Sequence, residues 1–134
     1  MSVRRVSPRE AQSLVQDGGY AYLDVRAVPE FDTGHPPGAF NVPLRTPRTG
    51  GGMDENEQFV AEVRAALPEA RRIVVGCAAG VRSLCACELL LAAGFDDVID
   101  QRAGLEAVRD AFCAVAFLTH APEGIAHAGG RARS

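Results

Sequence analysis

The stretch RIVVGCAAGVRS, residues 72–83, joins a run of branched apolar residues to a cysteine, several small residues, an arginine and a serine. The run from Arg72 to Gly76 is typical of a buried strand. Residues 83–93 (SLCACELLLAA), followed by Gly94, predict a helix. Cys77 is therefore expected in the loop at the carboxyl end of a strand, where open α/β sheets place their ligand sites.

The rest of the chain continues this alternation of strands and helices. Short aromatic or branched stretches predict further strands over residues 4–6, 20–25 and 97–100. Helices are predicted from the capping box at Ser7 to Gly18, over residues 59–67 and over 105–112. The Gly- and Pro-rich part between them predicts loops, with a helical turn at Glu30-Phe31 and a flexible loop at 50–52. This order favours an α/β fold with a largely parallel sheet between layers of helices.

Composition limits the classes of function. The 134 residues fit one domain, no apolar run has the length of a membrane span, and the N-terminus lacks the apolar core of a signal peptide. With a net charge of −3 and no basic patch, neither nucleic acid nor membrane partners are expected. The absence of lysine excludes a lysine nucleophile. Four cysteines without a CxxC pair, and scattered histidines, predict a reducing compartment, taken as the cytoplasm, and no structural metal.

The residues around Cys77 suit a reactive thiol. A loop of small residues can turn its backbone N–H groups inward, and the following helix adds the positive end of its dipole, so both favour the thiolate. Gly80 permits the positive φ that such a loop needs, and Ser83 can cap the helix or donate to a sulfur anion. Arg82 can hold the loop closed or meet an anionic substrate. The alternative is a buried, inert cysteine.

Three sets of residues resemble the rhodanese domain of the single-domain sulfurtransferase type. The segment from Leu23 to Pro43 is similar to the family's "LDVR…EF…GHIPGA…N(I/V)P" motif, with Pro36 where isoleucine is usual. Residues 77–83 are similar to its "CxxGxRS" active-site loop. Residues 94–108 match its "GF…V…GG…AW" motif more weakly, because Ala103 replaces a glycine and Val108 a tryptophan.

The resemblance implies a rhodanese-like three-layer α/β fold over residues 1–113, with a mostly parallel sheet of about five strands. Residues 114–134 are then a loosely ordered C-terminal extension. It also implies a thiosulfate sulfurtransferase, in which Cys77 takes a sulfur from a donor such as thiosulfate, carries it as a persulfide and passes it to cyanide or a thiol. The resemblance implies no cofactor. The partners expected are a small-molecule sulfur donor and acceptor or a thiol protein, and the chain is expected to be a monomer or a homodimer.

The loop that would bind the substrate and the persulfide consists of Ala78, Ala79, Gly80, Val81, Arg82 and Ser83. Asp24, Arg26 and His35 are expected to support it, with Asp24 bonded to backbone or an arginine and Arg26 paired with Glu30 four residues on. His35 either contacts substrate or is a hydrogen-bonded turn residue.

Two alternatives to the enzyme remain open. One is a rhodanese-like sulfur carrier or protein-binding module with little turnover. The other is a rhodanese-fold phosphatase or arsenate reductase, which the loop disfavours because four residues, not five, separate Cys77 from Arg82. Cys85 could resolve a disulfide with Cys77, one of Cys85 and Cys87 is expected in the core, and Cys113 has no assigned role.

Overall fold

The structure is a computed structural model that describes residues 3–68, 72–77 and 81–102. Its strands are β1 (Arg4–Val6), β2 (Ala21–Asp24), β3 (Phe40–Asn41), β4 (Arg45–Pro47), β5 (Met53–Glu55), β6 (Arg72–Gly76) and β7 (Asp97–Gln101). Its helices are α1 (Pro8–Asp17), α2 (Val28–Thr33), α3 (Phe59–Ala66) and α4 (Val81–Ala92). In these ranges, no helix combines the length and apolar character that a membrane span requires.

The central sheet contains five strands in the order β1-β7-β6-β2-β3, and every neighbouring pair is parallel. This confirms the predicted α/β fold with a mostly parallel sheet of about five strands. β6, which ends just before Cys77, lies in the middle of the sheet between β2 and β7. Its carboxyl end is therefore flanked on both sides by the ends of other parallel strands, and side chains from several strands can meet there.

Alternate residues of the strands pack against helices on the two faces of the sheet. Toward α3 and α4, Leu23, Val75 and Val98 belong to a core that also contains Phe59 and Leu90. The neighbouring strand residues contribute to a second core with side chains of α1 and α2: Val6, Ala11, Tyr22, Phe31, Val74 and Ile99. Helices thus cover both faces, which is the reason for the near-continuous apolar sequence of β6.

The start of α1 follows its sequence signal. Ser7 Oγ accepts a hydrogen bond from the Glu10 N–H at 3.1 Å, and the Glu10 carboxylate accepts one from the Ser7 N–H at 2.8 Å. Pro8 occupies the first turn, where a missing N–H leaves no hydrogen bond unmade. The predicted capping box is confirmed.

Residues 50–52 form an exposed turn, as their glycines predict, but the segments on either side of the turn are strands that were not predicted. β4 and β5 form an antiparallel hairpin there, with Arg45 opposite Glu55 and Pro47 opposite Met53. All three glycines have positive φ, which lets the chain reverse within a few residues. The Arg48 N–H donates to the Gly52 carbonyl at 2.9 Å and closes the turn. The hairpin was missed because its short polar strands lack the apolar alternation that marks a strand.

Three predictions for the C-terminal part of the chain fall outside the described residues. They are the helix over 105–112, the boundary between residues 113 and 114, and the unassigned Cys113.

Candidate active site

Cys77 follows the last residue of β6, and only 5% of its surface is exposed. Gly76 immediately before it has no room for a side chain, because a Cβ would collide with the hydroxyl of Tyr22 on β2. The glycine therefore allows the tyrosine ring to cover the end of β6 on the face opposite Cys77. The close approach fixes the backbone from which the thiol projects.

The sulfur of Cys77 lies at the start of α4. The Ser83 N–H donates to Cys77 Sγ at 3.2 Å, and the thiol donates to Ser83 Oγ at 3.4 Å. The first N–H groups of a helix have no partner within the helix, and together with the helix dipole they attract an anion. When Cys77 is a thiolate, the Ser83 hydroxyl can reverse and donate to it.

The helix begins two residues earlier than predicted, so Arg82 and Ser83 belong to its first turn. The residues from Ala78 through Gly80 lie outside the described residues, as does the side chain of Val81. The proposed contribution of the loop N–H groups therefore stays a prediction.

Arg82 extends from this first turn to α2. Its two terminal nitrogens donate to both carboxylate oxygens of Glu30 at 2.8 and 3.0 Å. The hydrogen bonds that Arg82 donates to Glu30 lower the pKa of Glu30, and the same bonds raise the pKa of Arg82. This two-pronged geometry fixes the guanidinium plane, so the ion pair ties the start of α4 to α2.

Asp100 was not identified from the sequence, although it is the buried charged residue behind Ser83. It lies on β7, none of its surface is exposed, and Arg5 of the adjacent β1 donates to its Oδ2 at 2.6 Å. Its Oδ1 has no hydrogen bond of normal geometry in the described part of the chain. Burial raises the pKa of Asp100, while the contacts with Ser83 and Arg5 partly oppose that rise. The available signal was an acidic residue in the strand predicted over 97–100, two positions after Val98 and therefore on the same face of the sheet.

Asp24 and Arg26 form a separate buried ion pair at the end of β2. Arg26 Nη2 donates to Asp24 Oδ2 at 2.7 Å and to the Gly34 carbonyl at 2.6 Å. Burial lowers the pKa of Arg26, but its bonds with Asp24 outweigh that effect and raise it overall. The Asn41 side chain donates to the carbonyls of both residues.

The pair predicted between Arg26 and Glu30 is therefore wrong. Arg26 bonds to Asp24, and Glu30 bonds to Arg82. The four-residue spacing applies within a helix, but Arg26 precedes Ala27, the N-cap of α2.

His35 is completely buried and packs against α2. Its ring stacks on Phe31 with centroids 3.6 Å apart, and its Nδ1 lies 2.8 Å from the Phe31 carbonyl. Burial lowers the pKa of His35, so the neutral ring is favoured. The structure gives this histidine the hydrogen-bonded position that was one of its two predicted roles.

A cavity of about 600 Å³ opens beside Cys77. Cys77, Arg82 and Glu30 are among the described residues that line it, whereas Asp24, Arg26 and His35 are not. The structure thus brings Cys77 and Arg82 to one cavity. The other three predicted residues are buried and do not line it. Cys87 is buried in the core on α4, where burial raises the pKa of its thiol, and Cys85 is half-buried beside the same core.

Residues 7–111 match the family described as Rhodanese-like domain. This chain belongs to the rhodanese-like domain family. The match covers Cys77, the Arg82 and Ser83 turn and the Asp24–Arg26 pair, which are the residues that the sequence resemblance selected.

Curated members of the rhodanese-like family resemble the chain over most of its length. Senescence-associated protein DIN1 of Raphanus sativus is 43% identical over 99 residues, which are 74% of this chain and 53% of that protein. Thiosulfate sulfurtransferase 16, chloroplastic, of Arabidopsis thaliana is 43% identical over 89 residues, 66% of this chain and 73% of that protein. The chain spans about half the length of DIN1 and of rhodanese-like domain-containing protein 15, chloroplastic, of Arabidopsis thaliana. Some relatives are named as thiosulfate sulfurtransferases and others only as rhodanese-like domain proteins.

The cytoplasmic location predicted from the sequence is contradicted by these names. Three relatives from Arabidopsis thaliana, the rhodanese-like proteins 14 and 15 and thiosulfate sulfurtransferase 16, are named chloroplastic. Composition and cysteine spacing distinguish reducing from oxidising surroundings, but they do not distinguish one reducing compartment from another.

The fold agrees with solved rhodanese-like structures. The rhodanese-like domain of a protein from Anabaena sp. superimposes with a TM-score of 0.63 at 25% identity, over 82% of this chain and 75% of that chain.

Proposed function

We propose that this protein is a sulfurtransferase that carries a sulfane sulfur as a persulfide on Cys77. The observation that carries the proposal is the position of Cys77 Sγ, which accepts the Ser83 N–H at the start of α4 and faces a cavity shared with Arg82. A helix N-terminus stabilises an anion on sulfur in the thiolate and in the persulfide alike. The names of relatives such as thiosulfate sulfurtransferases 16 and 18 of Arabidopsis thaliana support the same reaction class.

The reaction has two half-reactions with thiosulfate as donor. The Cys77 thiolate attacks the outer sulfur, a new S–S bond forms, and the bond to the sulfonate sulfur breaks, so sulfite leaves with the electron pair. In the second half-reaction a nucleophile such as cyanide or a thiolate attacks the terminal sulfur of the persulfide. Cys77 leaves as a thiolate, ready for another cycle. No external oxidant or reductant and no cofactor is required.

The other predicted site residues have supporting roles in this proposal. The N–H groups of residues 78–82, with Ser83, stabilise the persulfide in the manner of an oxyanion hole. Asp24 and Arg26 hold the end of β2 beside the end of β6, and His35 packs against Phe31 of α2. The partners are a small-molecule donor and acceptor, or a thiol protein as acceptor.

Intact mass tests the proposal directly. After incubation with thiosulfate, the chain is expected to gain one sulfur, about 32 Da for a single persulfide, and to lose it as thiocyanate on addition of cyanide. Cys77→Ser should abolish the gain, while the matched variant Cys85→Ser, on the first turns of the same helix, should retain it.

Each other outcome has a distinct meaning. Sulfur loading without turnover to cyanide or thiols would indicate the carrier module. Hydrolysis of p-nitrophenyl phosphate without sulfur uptake would indicate a phosphatase. A gain that persists in Cys77→Ser would contradict Cys77 as the nucleophile.

A further inference from the structure

Ser83 links the nucleophile to a buried carboxyl group. Its Oγ accepts the Cys77 thiol at 3.4 Å, so the hydrogen of the Ser83 hydroxyl can point away from the sulfur. The Ser83 side chain also contacts the carboxyl group of Asp100 on β7. Asp100 and Ser83 have no exposed surface, and Cys77 has only 5%. The three side chains therefore form a chain of polar groups that leads from the cavity into the interior of the protein.

The two oxygens of the Asp100 carboxyl group have different surroundings. Arg5 of β1 donates to Oδ2 at 2.6 Å. Oδ1 is buried and has no hydrogen bond of normal geometry within the described residues. A buried acceptor without a donor is unfavourable, whereas a protonated carboxyl oxygen becomes a donor itself. Oδ1 is thus the oxygen on which a proton improves the hydrogen bonding of the cluster.

The surroundings of Asp100 also favour a proton on it. Burial raises the pKa of Asp100, and the contacts with Ser83 and Arg5 only partly oppose that rise. In the part of the chain that the structure describes, the charged or titratable groups that act on Asp100 directly are Arg5 on β1 and Cys87 on α4. Burial raises the pKa of Cys87, so this thiol stays neutral and does not compete for the proton of Cys77.

We propose that Asp100 is a positioning residue that accepts the proton of Cys77 through the Ser83 hydroxyl. The inference rests on the proposed function, in which Cys77 loses its proton before it attacks a sulfur donor.

The proton transfer is balanced within the three side chains. The S–H bond of Cys77 breaks and Ser83 Oγ takes that proton, while the original Ser83 proton passes to Asp100 Oδ1. The products are a thiolate, a hydroxyl that donates to it and a neutral carboxyl group that donates to Ser83 Oγ, so the total charge is unchanged. The carboxyl group keeps the proton through both half-reactions, because Cys77 leaves the second one as a thiolate.

A shared proton gives the reactivity of Cys77 a characteristic pH profile. While Asp100 and Cys77 hold one proton between them, a constant fraction of the sulfur is thiolate. The reactivity should therefore rise with pH in two steps, with a plateau between them. A thiol that releases its proton to water in the cavity gives a single step.

Alkylation with iodoacetamide measures this profile, because the thiolate is the reacting form and the reagent carries no charge. The folded chain is alkylated for a short time at each pH, then unfolded and digested. Trypsin cleavage after Arg72 and Arg82 places Cys77 in a peptide without the other cysteines. The mass of that peptide therefore reports the reactivity of Cys77 alone.

A matched pair of variants on β7 tests the role of the carboxyl group. In Asp100→Asn the lower step and the plateau should disappear, and the rate on the acid side of neutrality should fall roughly a hundredfold, since a positioned acid or base contributes about 10²–10⁴-fold. Asp97→Asn is the control, because the Asp97 carboxylate accepts the Tyr20 hydroxyl and its side chain is 39% exposed. It should keep both steps, and loss of the plateau in both variants would overturn the inference.

Ser83→Ala and Arg5→Gln test the route of the proton. Ser83→Ala leaves the Asp100–Arg5 pair in place but should give a single step, and adding Asp100→Asn to it should have no further effect on the profile. Arg5→Gln removes the positive charge beside Asp100, so the lower step should move to higher pH and the plateau rate should rise. Additive effects of the Ser83 and Asp100 changes would overturn the inference.

Alkylation does not require sulfur transfer, so the inference and the proposed function can fail separately. A single step in the native profile, or a plateau that persists in Asp100→Asn, would overturn the proton transfer while sulfur loading of Cys77 stays intact. A two-step profile in a chain that gains no sulfur from thiosulfate would contradict the proposed function alone.

Discussion

At the carboxyl ends of the strands, where Cys77 lies, the two faces of the sheet carry different polar groups. Toward α1 and α2, Asp24 and Arg26 are each about 3% exposed, and their hydrogen bonds are directed to each other and to the backbone. Toward α3 and α4, Asp100 is paired with Arg5, which is 39% exposed, and one carboxylate oxygen has no hydrogen bond of normal geometry in the described residues. Only this second group reaches Cys77, through Ser83.

This difference indicates which group stabilises the fold and which group acts on the nucleophile. A saturated buried pair has no spare donor or acceptor for a reaction, and its removal chiefly affects the folded state. The Ser83 hydroxyl, in contrast, contacts the nucleophile on one side and lies beside a carboxyl group on the other. Substitution of Asp24 should therefore lower the free energy of unfolding. Substitution of Ser83 should change the rate of sulfur uptake, and substitution of Asp100 should change how the free energy of unfolding depends on pH.

The largest effect is expected from Asp24→Asn on the first face. The change leaves the Arg26 guanidinium buried without its carboxylate, and breaking one side of a buried pair reduces the free energy of unfolding by about 3–5 kcal/mol. Asp54→Asn is the control, because the Arg48–Asp54 pair is more than half exposed and such pairs contribute less than about 1 kcal/mol. Urea unfolding of both variants measures the difference, and equal values would show that the buried pair has no special role.

An intermediate effect is expected from Ser83→Ala on the second face. The variant keeps the backbone N–H that Cys77 Sγ accepts but loses the hydroxyl, and a hydrogen bond to a charged group contributes about 1.5–3 kcal/mol. The rate of sulfur uptake should therefore fall roughly ten- to hundredfold. Stopped-flow loading followed by quenching and mass measurement gives this rate. Ser13→Ala, at an exposed position of α1, should leave it unchanged, and an unaltered rate in Ser83→Ala would place the hydroxyl outside the chemistry.

The position of Cys77 could be predicted because it depends on local sequence. Three features follow one another directly in the chain: the apolar run of β6, the small residues and the helix that begins at Val81. A parallel sheet binds its ligands at the carboxyl ends of its strands. The same local patterns gave the capping box of α1 and the α/β class.

The ion pairs could not be predicted, because they depend on contacts between distant segments. Arg5 and Asp100 are 95 positions apart and meet only because β1 and β7 align them in register. Glu30 and Arg82 meet because the end of β6 brings α4 beside α2. The one pair predicted from spacing, Arg26 with Glu30, failed because the helix starts after Arg26.

The smallest effect is expected in the pH dependence of stability through Asp100. Burial raises the pKa of this carboxyl above its value in the unfolded chain, so the folded protein binds the proton more tightly. Its contribution to stability is thus fully present below the ordinary pKa of aspartate and is lost as the pH rises through the raised pKa. In Asp100→Asn this loss should disappear. Unfolding free energies of both proteins, measured across that range, should differ by an amount that changes with pH.

Glu30 provides a control of opposite sign for the same measurement. Arg82 lowers the pKa of Glu30, so the contribution of Glu30 is present above the ordinary pKa of glutamate and is lost as the pH falls through the lowered value. Glu30→Gln should therefore remove an acid-side loss, whereas Asp100→Asn removes a loss on the alkaline side of its ordinary pKa. If both variants shifted the profile in the same direction, Asp100 would be an ordinary ion-paired carboxylate. The Asp100–Arg5 pair would then be no less completely bonded than the Asp24–Arg26 pair, and the contrast between the two pairs would fail.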